Sequence, residues 1–147
     1  MLYYAGMNKS STGTNVYRLL SSLGAIEHRL ESALEPVGLS LSKFGCLANL
    51  VEAGEALPLR TLAERCACVR SNITQLVDRL EAEKLVIRVD DAHDRRSVRA
   101  AITSEGRTRY TEGLKVIHDV ERKMFSRLSK ERAEELLASL SVLASDR

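Results

Sequence analysis

Arg70, Ser71, Asn72, Thr74, Gln75, Asp78 and Arg79 crowd into ten residues of chain, interleaved with apolar positions at a helical interval. Ile73, Leu76, Val77 and Leu80 fall at i, i+3, i+4 and i+7, so they share one helix face and leave the polar groups on the other. Amide and hydroxyl side chains near the N-terminal end of such a helix can hydrogen-bond base edges in a DNA major groove. Ser71, Asn72, Thr74 and Gln75 are therefore candidate base contacts. A solvated helix face is the plain alternative, and the helix alone does not separate the two.

A second cluster lies a dozen residues on. Asp91-Ala92-His93-Asp94-Arg95-Arg96 is a basic turn between two short β-like runs. A polar helix followed by a basic hairpin has the form of a winged helix-turn-helix, and the hairpin beside the helix favours DNA contact over a merely solvated face. Arg70, Arg88, Arg99 and Arg107 are candidate phosphate-binding or structural arginines. Phosphate contacts position a protein without reading sequence.

The three cysteines, Cys46, Cys66 and Cys68, suit reduced thiols in a cytoplasmic protein. Cys68 stands just before the polar helix with Arg65 and Arg70 nearby in sequence, a setting that lowers a thiol pKa. Cys66 and Cys68 are thus candidate redox residues. Both also stand where small apolar residues would pack, and a disulfide between them would be strained. His28, His93 and His118 have no metal-ligand spacing to the cysteines. No Gly-rich phosphate loop, zinc motif or nucleophile elbow occurs, so the chain is not expected to be an enzyme or to carry a cofactor.

The elements that must position these residues follow from the apolar pattern. Helices are expected over about 14–35, 42–53, 58–66 and 70–83, the last without a good N-cap because Val69 stands at its start. Strands are expected at 85–89 and 97–102. Two more helices follow, over about 105–128 with Ser104 as cap and from Ser129 to about 143. The order is α-α-α-α-β-β-α-α, a mainly α fold with a small β-hairpin. The 147 residues fit one domain with a real core, 44% apolar and 29% charged, and aromatics at 4% suit packed helices. Nothing is long and apolar enough for a membrane span, and no secretory signal opens the chain. Net charge is +2, and that excess sits within Leu57–Arg107, which holds 10 Lys/Arg against 8 Asp/Glu.

This order resembles the MarR/SlyA family of bacterial transcription regulators. The likeness is carried by Leu62-Ala63-Glu64-Arg65, Val77-Asp78-Arg79-Leu80-Glu81, Leu85-Val86, Asp94-Arg95-Arg96 and Ile102-Thr103-Ser104-Glu105-Gly106. The chain departs from the family pattern at Val69, where a polar cap is usual, at Gln75, where a basic residue is common, and at Cys66 and Cys68, where aliphatic residues are usual. The resemblance implies a single domain over 1–147. Residues 1–13 would be a flexible arm, 14–37 and 105–147 dimerisation helices, and 38–104 the winged lobe. It implies a homodimer on a pseudo-palindromic double-stranded operator, acting as a repressor released by a small-molecule effector. Of Arg95 and Arg96, one would enter the minor groove or bind phosphate, with Arg95 the stronger candidate, and the other would pair with Asp94 to brace the wing. Asp78 and Arg79 match family positions that contact DNA or brace the helix against the wing. Two alternatives stay open: a thiol-sensing regulator of the same fold, and a winged protein-interaction module without DNA binding. The family's thiol sensors carry their reactive Cys in the first helix, where this chain has none.

Overall fold

The computed structural model describes residues 14–66, 72–94 and 96–145. Helix α1 spans Asn15–Leu34 and leaves through a 3-10 turn, Glu35–Val37, placed by Pro36. Helix α2, Leu41–Ala53, is capped by Ser40, whose hydroxyl accepts the Lys43 N–H at 3.1 Å. Strand β1, Leu57–Pro58, leads into α3, Leu59–Arg65, and α4 spans Ile73–Ala82. Strands β2, Val86–Asp90, and β3, Val98–Ile102, form the hairpin. Helix α5, Ser104–Phe125, and helix α6, Lys130–Ala144, complete the chain.

The sheet has three antiparallel strands in the order β1-β3-β2, where the hairpin alone was expected. Leu57 pairs with Ala100 and Pro58 with Arg99. A two-residue strand has no periodicity to read, and Pro is tolerated because β1 is an edge. Two helix starts also differ from expectation. The polar helix begins at Ile73, not Arg70, and it does have a cap: the Asn72 side-chain oxygen accepts the Thr74 N–H at 3.1 Å. Val69 lies outside the described residues. Thr103, not Ser104, caps α5, accepting from Gly106 N at 3.0 Å while its hydroxyl donates to the Lys84 carbonyl at 2.7 Å. That helix ends at Phe125, three residues early.

One core lies between α2, α3, α4 and the sheet. Cys46, Leu47, Leu50, Leu62, Leu76, Val77, Leu80, Leu85, Val86 and Ala100 are buried in it. Phe44 and Tyr110, stacked with centroids 5.4 Å apart, tie α2 to α5. By contrast α6 buries none of its residues, and α1 buries only Leu34.

The exit of α4 controls how the hairpin leaves it. Leu85 N donates to the Leu80 carbonyl at 2.8 Å and Lys84 N to the Glu81 carbonyl at 2.9 Å, the paired bonds of a Schellman stop, with Leu80 and Leu85 in the core. That stop needs a left-handed residue, and Lys84 takes it at φ 61°. A Cβ there costs about 1 kcal/mol. Lys84→Gly is therefore expected to raise the thermal midpoint by about 3 °C, measured by circular dichroism at fixed protein concentration.

Candidate nucleic-acid interface

Helix α4 divides as its pattern requires. Leu76, Val77 and Leu80 are buried, and Thr74, Gln75, Asp78 and Arg79 are exposed. Asn72 is exposed as well, but its oxygen is engaged as the helix cap, so its free amide N–H groups are what it offers outward. Arg70 and Ser71 lie outside the described residues.

Arg88 holds this helix against the hairpin. From β2 its guanidinium reaches Asp78 and Glu81, both on α4, at 2.5 Å each. Its backbone N–H also donates to Glu81 Oε1 at 3.1 Å. Donation from the Arg88 backbone, then from its side chain, holds the Glu81 carboxyl below the usual carboxylate range. Asp78 and Glu81 sit at i and i+3, so one fork spans both. Arg88 donors are thus spent inside the protein, and Asp78 faces Arg88 as well as solvent. If this fork sets the tilt of α4, Arg88→Met and Arg88→Lys should each weaken operator binding about tenfold, since an ammonium cannot span two carboxylates. The midpoint should move by less than about 3 °C, because partly exposed ion pairs contribute little. Full affinity in Arg88→Lys would identify a phosphate contact instead.

Arg99 is likewise turned inward. Its Nε lies 2.7 Å from Asp91 Oδ2 and its Nη1 donates to the Ala56 carbonyl at 3.0 Å, linking the turn end of the hairpin to the segment before β1. Asp91 also accepts the His93 N–H at 2.9 Å, and that bond, followed by Arg99, holds its carboxyl below the usual range. The turn is closed by backbone bonds between Asp91 N and the Ser97 carbonyl and between Ser97 N and the Asp94 carbonyl. Asp94 braces it: its carboxylate accepts the Arg96 backbone N–H at 3.0 Å. The Arg96 side chain is exposed and makes no ion pair among the described residues. Arg95 lies outside them, as does Cys68. Cys66 is buried. Arg107 is exposed on the first turns of α5.

The assembled surface is a rigidly seated helix with a short polar outer face, flanked by a braced turn that carries an exposed arginine. The model of the MarR family matches residues 37–97, which include α2 to α4 and β2 and stop before β3. The chain is 29% identical to the uncharacterized HTH-type transcriptional regulator YkoM of Bacillus subtilis, over 86% of this chain and 82% of that one. The chain is thus similar to the MarR family over its central residues. It is also 27% identical to the HTH-type transcriptional repressor Rv2887 of Mycobacterium tuberculosis, over 87% and 92% of the two chains. Among solved structures, CouR from Rhodococcus jostii RHA1 bound to p-coumaroyl-CoA is 26% identical with a TM-score of 0.75, covering 94% of this chain and 97% of that one. CouR bound to a 23-mer DNA duplex has a TM-score of 0.82 at 23% identity, covering 90% and 93%.

The surface has more bracing residues than the sequence disclosed. Glu81, Asp91 and the cap role of Asn72 were missed. The spacing of Asp78 and Glu81 on one helix face was the available signal for the first. No helix among the described residues is long and apolar enough to cross a membrane.

Proposed function

We propose that this regulator is a homodimeric cytoplasmic repressor, without enzymatic activity, whose α4 helices enter successive major grooves of a pseudo-palindromic operator. The observation that carries this is the outer face of α4, where Thr74 and Gln75 are exposed on a helix clamped by Arg88 beside the arginine-bearing turn. Thr74 and Gln75 read bases, with the Asn72 amide and Ser71 beside them. Arg95 and Arg96 reach the minor groove or phosphate, and Arg70 and Arg79 bind phosphates. Half-sites then lie about 10 bp apart.

The dimer is supported by apolar side chains left exposed among the described residues. On α1 these are Val16, Tyr17 and Leu23, and on α6 Leu136, Leu137, Val142 and Leu143, the last two each 72% exposed. Such faces on the first and last helices suit a second copy of the chain, with residues 14–37 and 105–147 as the dimerisation region and 38–104 as the lobe. An effector would act by changing the separation of the lobes. A cleft of about 270 Å³ lined by Val120 and Met124 together with Arg29, Lys123 and Arg127 suits an amphipathic anion.

Fluorescence anisotropy against the DNA upstream of the protein's own gene, with excess unrelated DNA, tests the proposal. Binding should survive the competitor and fall steeply between two salt concentrations. Replacing Arg95 and Arg96 together with Ala should abolish it. Unchanged affinity in that variant would remove the hairpin from the interface, and no binding at low salt would overturn operator recognition.

A further inference from the structure

The exposed side chains on the outer face of α4 differ in what they can offer a base. Arg79 only donates. Asp78 only accepts, and its Oδ1 already lies 2.5 Å from the Arg88 guanidinium. The Asn72 oxygen is taken by the Thr74 N–H, so that residue has only donors left. The Thr74 hydroxyl donates or accepts through a single atom and suits any base. Gln75 stands apart from these. It is exposed, and its carboxamide makes no hydrogen bond among the described residues. It presents one donor group and one acceptor side by side on a planar group.

Two local partners compete for such an amide. Gln75 is three residues beyond the N-cap Asn72, where a Gln side chain commonly folds back onto the N-cap backbone N–H. Asp78 follows three residues later, where a carboxylate can accept from an amide on the same helix face. Neither bond forms among the described residues. The cap is closed by the Asn72 side chain itself, and Asp78 is drawn to Arg88 on β2. Gln75 also sits in the first turn of α4, the end of a recognition helix that meets base edges. Its neighbours Leu76 and Val77 are buried, so the turn that carries it is firmly seated.

Base edges answer a carboxamide unequally. In the major groove adenine shows the N7 acceptor beside the N6 amino donor. Guanine shows two acceptors, cytosine a donor, and thymine an acceptor beside a methyl group. Adenine alone meets both halves of the Gln75 amide.

We infer that Gln75 specifies adenine at one position of each operator half-site, with Nε2 donating to N7 and Oε1 accepting from the N6 amino group. The inference rests on the operator-binding function proposed above and adds the base that is read. Guanine at that position would set its O6 against Oε1, acceptor facing acceptor, and both would lose the hydrogen bonds that water had given them. Gln75 lies outside the buried core, so replacing it changes recognition and leaves the fold in place.

The test is in vitro selection of random duplexes by the full-length protein at one salt concentration, followed by anisotropy on the selected site. The motif should carry adenine at one symmetric position in each half-site. Gln75→Ala should bind that site about tenfold more weakly and accept all four bases at the position, with the rest of the motif unchanged. Gln75→Arg should select guanine there instead, because a guanidinium donates to both O6 and N7. Replacing the adenine by 7-deazaadenine removes the N7 acceptor and keeps the base pair. That change should weaken the parent about fivefold and leave Gln75→Ala unaffected, since the contact they share is already gone. A motif with the same base preferences in the parent and both variants would overturn the assignment while leaving operator recognition intact. Equal losses with 7-deazaadenine in the parent and in Gln75→Ala would do the same. Binding that selects no motif would sink the operator reading and this one with it.

Discussion

Gly106→Ala is expected to lower the thermal midpoint by about 10 °C, which corresponds to roughly 3 kcal/mol for a chain of this size. A Cβ at Gly106 would stand 2.1 Å from the Leu85 carbonyl oxygen and 2.8 Å from Ile102 Cγ1. The carbonyl cannot retreat freely. It accepts the Thr103 N–H at 3.1 Å, and Thr103 is itself tied to the neighbouring Lys84 carbonyl. Backbone is pinned to backbone where α5 leaves the sheet. Gly113 is a useful comparison, because its Cβ would meet side chains, Leu39 Cδ1 at 2.7 Å and Phe44 Cδ2 at 2.9 Å. Side chains can repack, so Gly113→Ala should cost less. Melting curves at equal protein concentration would check the order, and a Gly106→Ala midpoint within about 2 °C of the parent would show that the α5 start is not pinned as described.

The largest functional loss should follow replacement of Thr74 and Gln75 together by Ala. Each well-made base contact is worth about 1–3 kcal/mol of discrimination, so the double variant should bind its operator roughly a hundredfold more weakly. Both residues are exposed and neither side chain makes a hydrogen bond among the described residues. The fold should therefore be untouched, and binding to unrelated DNA, which depends on phosphate contacts, should change little. Asn72→Ala is a different experiment. It removes the α4 cap as well as an amide, so it should lower the midpoint by the loss of about 1 kcal/mol while also weakening binding. If the Thr74/Gln75 double variant keeps full operator affinity, the outer face of α4 does not read the bases. Anisotropy on operator and on scrambled DNA, run side by side, separates the outcomes.

Local pattern was enough for much of this protein. The period of Ile73, Leu76, Val77 and Leu80 defines which side of α4 is buried, because a helix turns by a fixed angle per residue. Alternation and a polar turn place the hairpin, and the ordered fragments from Leu62 to Gly106 carry the resemblance to the MarR family. The apolar stripes of α1 and α6 were also legible, although within one chain they remain uncovered.

Tertiary structure alone decided how those pieces engage. A residue's type does not say where a long side chain is spent. Arg88 and Arg99 read as possible phosphate ligands, yet the hairpin register points one at Asp78 and Glu81 and the other at Asp91 and Ala56. Asn72 reads as a base contact, yet the helix start makes its oxygen a cap. Strand β1 exists only because β3 lies beside Leu57 and Pro58. Cys46 stands twenty residues from Cys66 in the sequence, and both are buried in the same core. Periodicity follows from covalent geometry repeated along one segment, so sequence expresses it. Partners are chosen by the packing of segments against one another, and that information appears only when the core has closed.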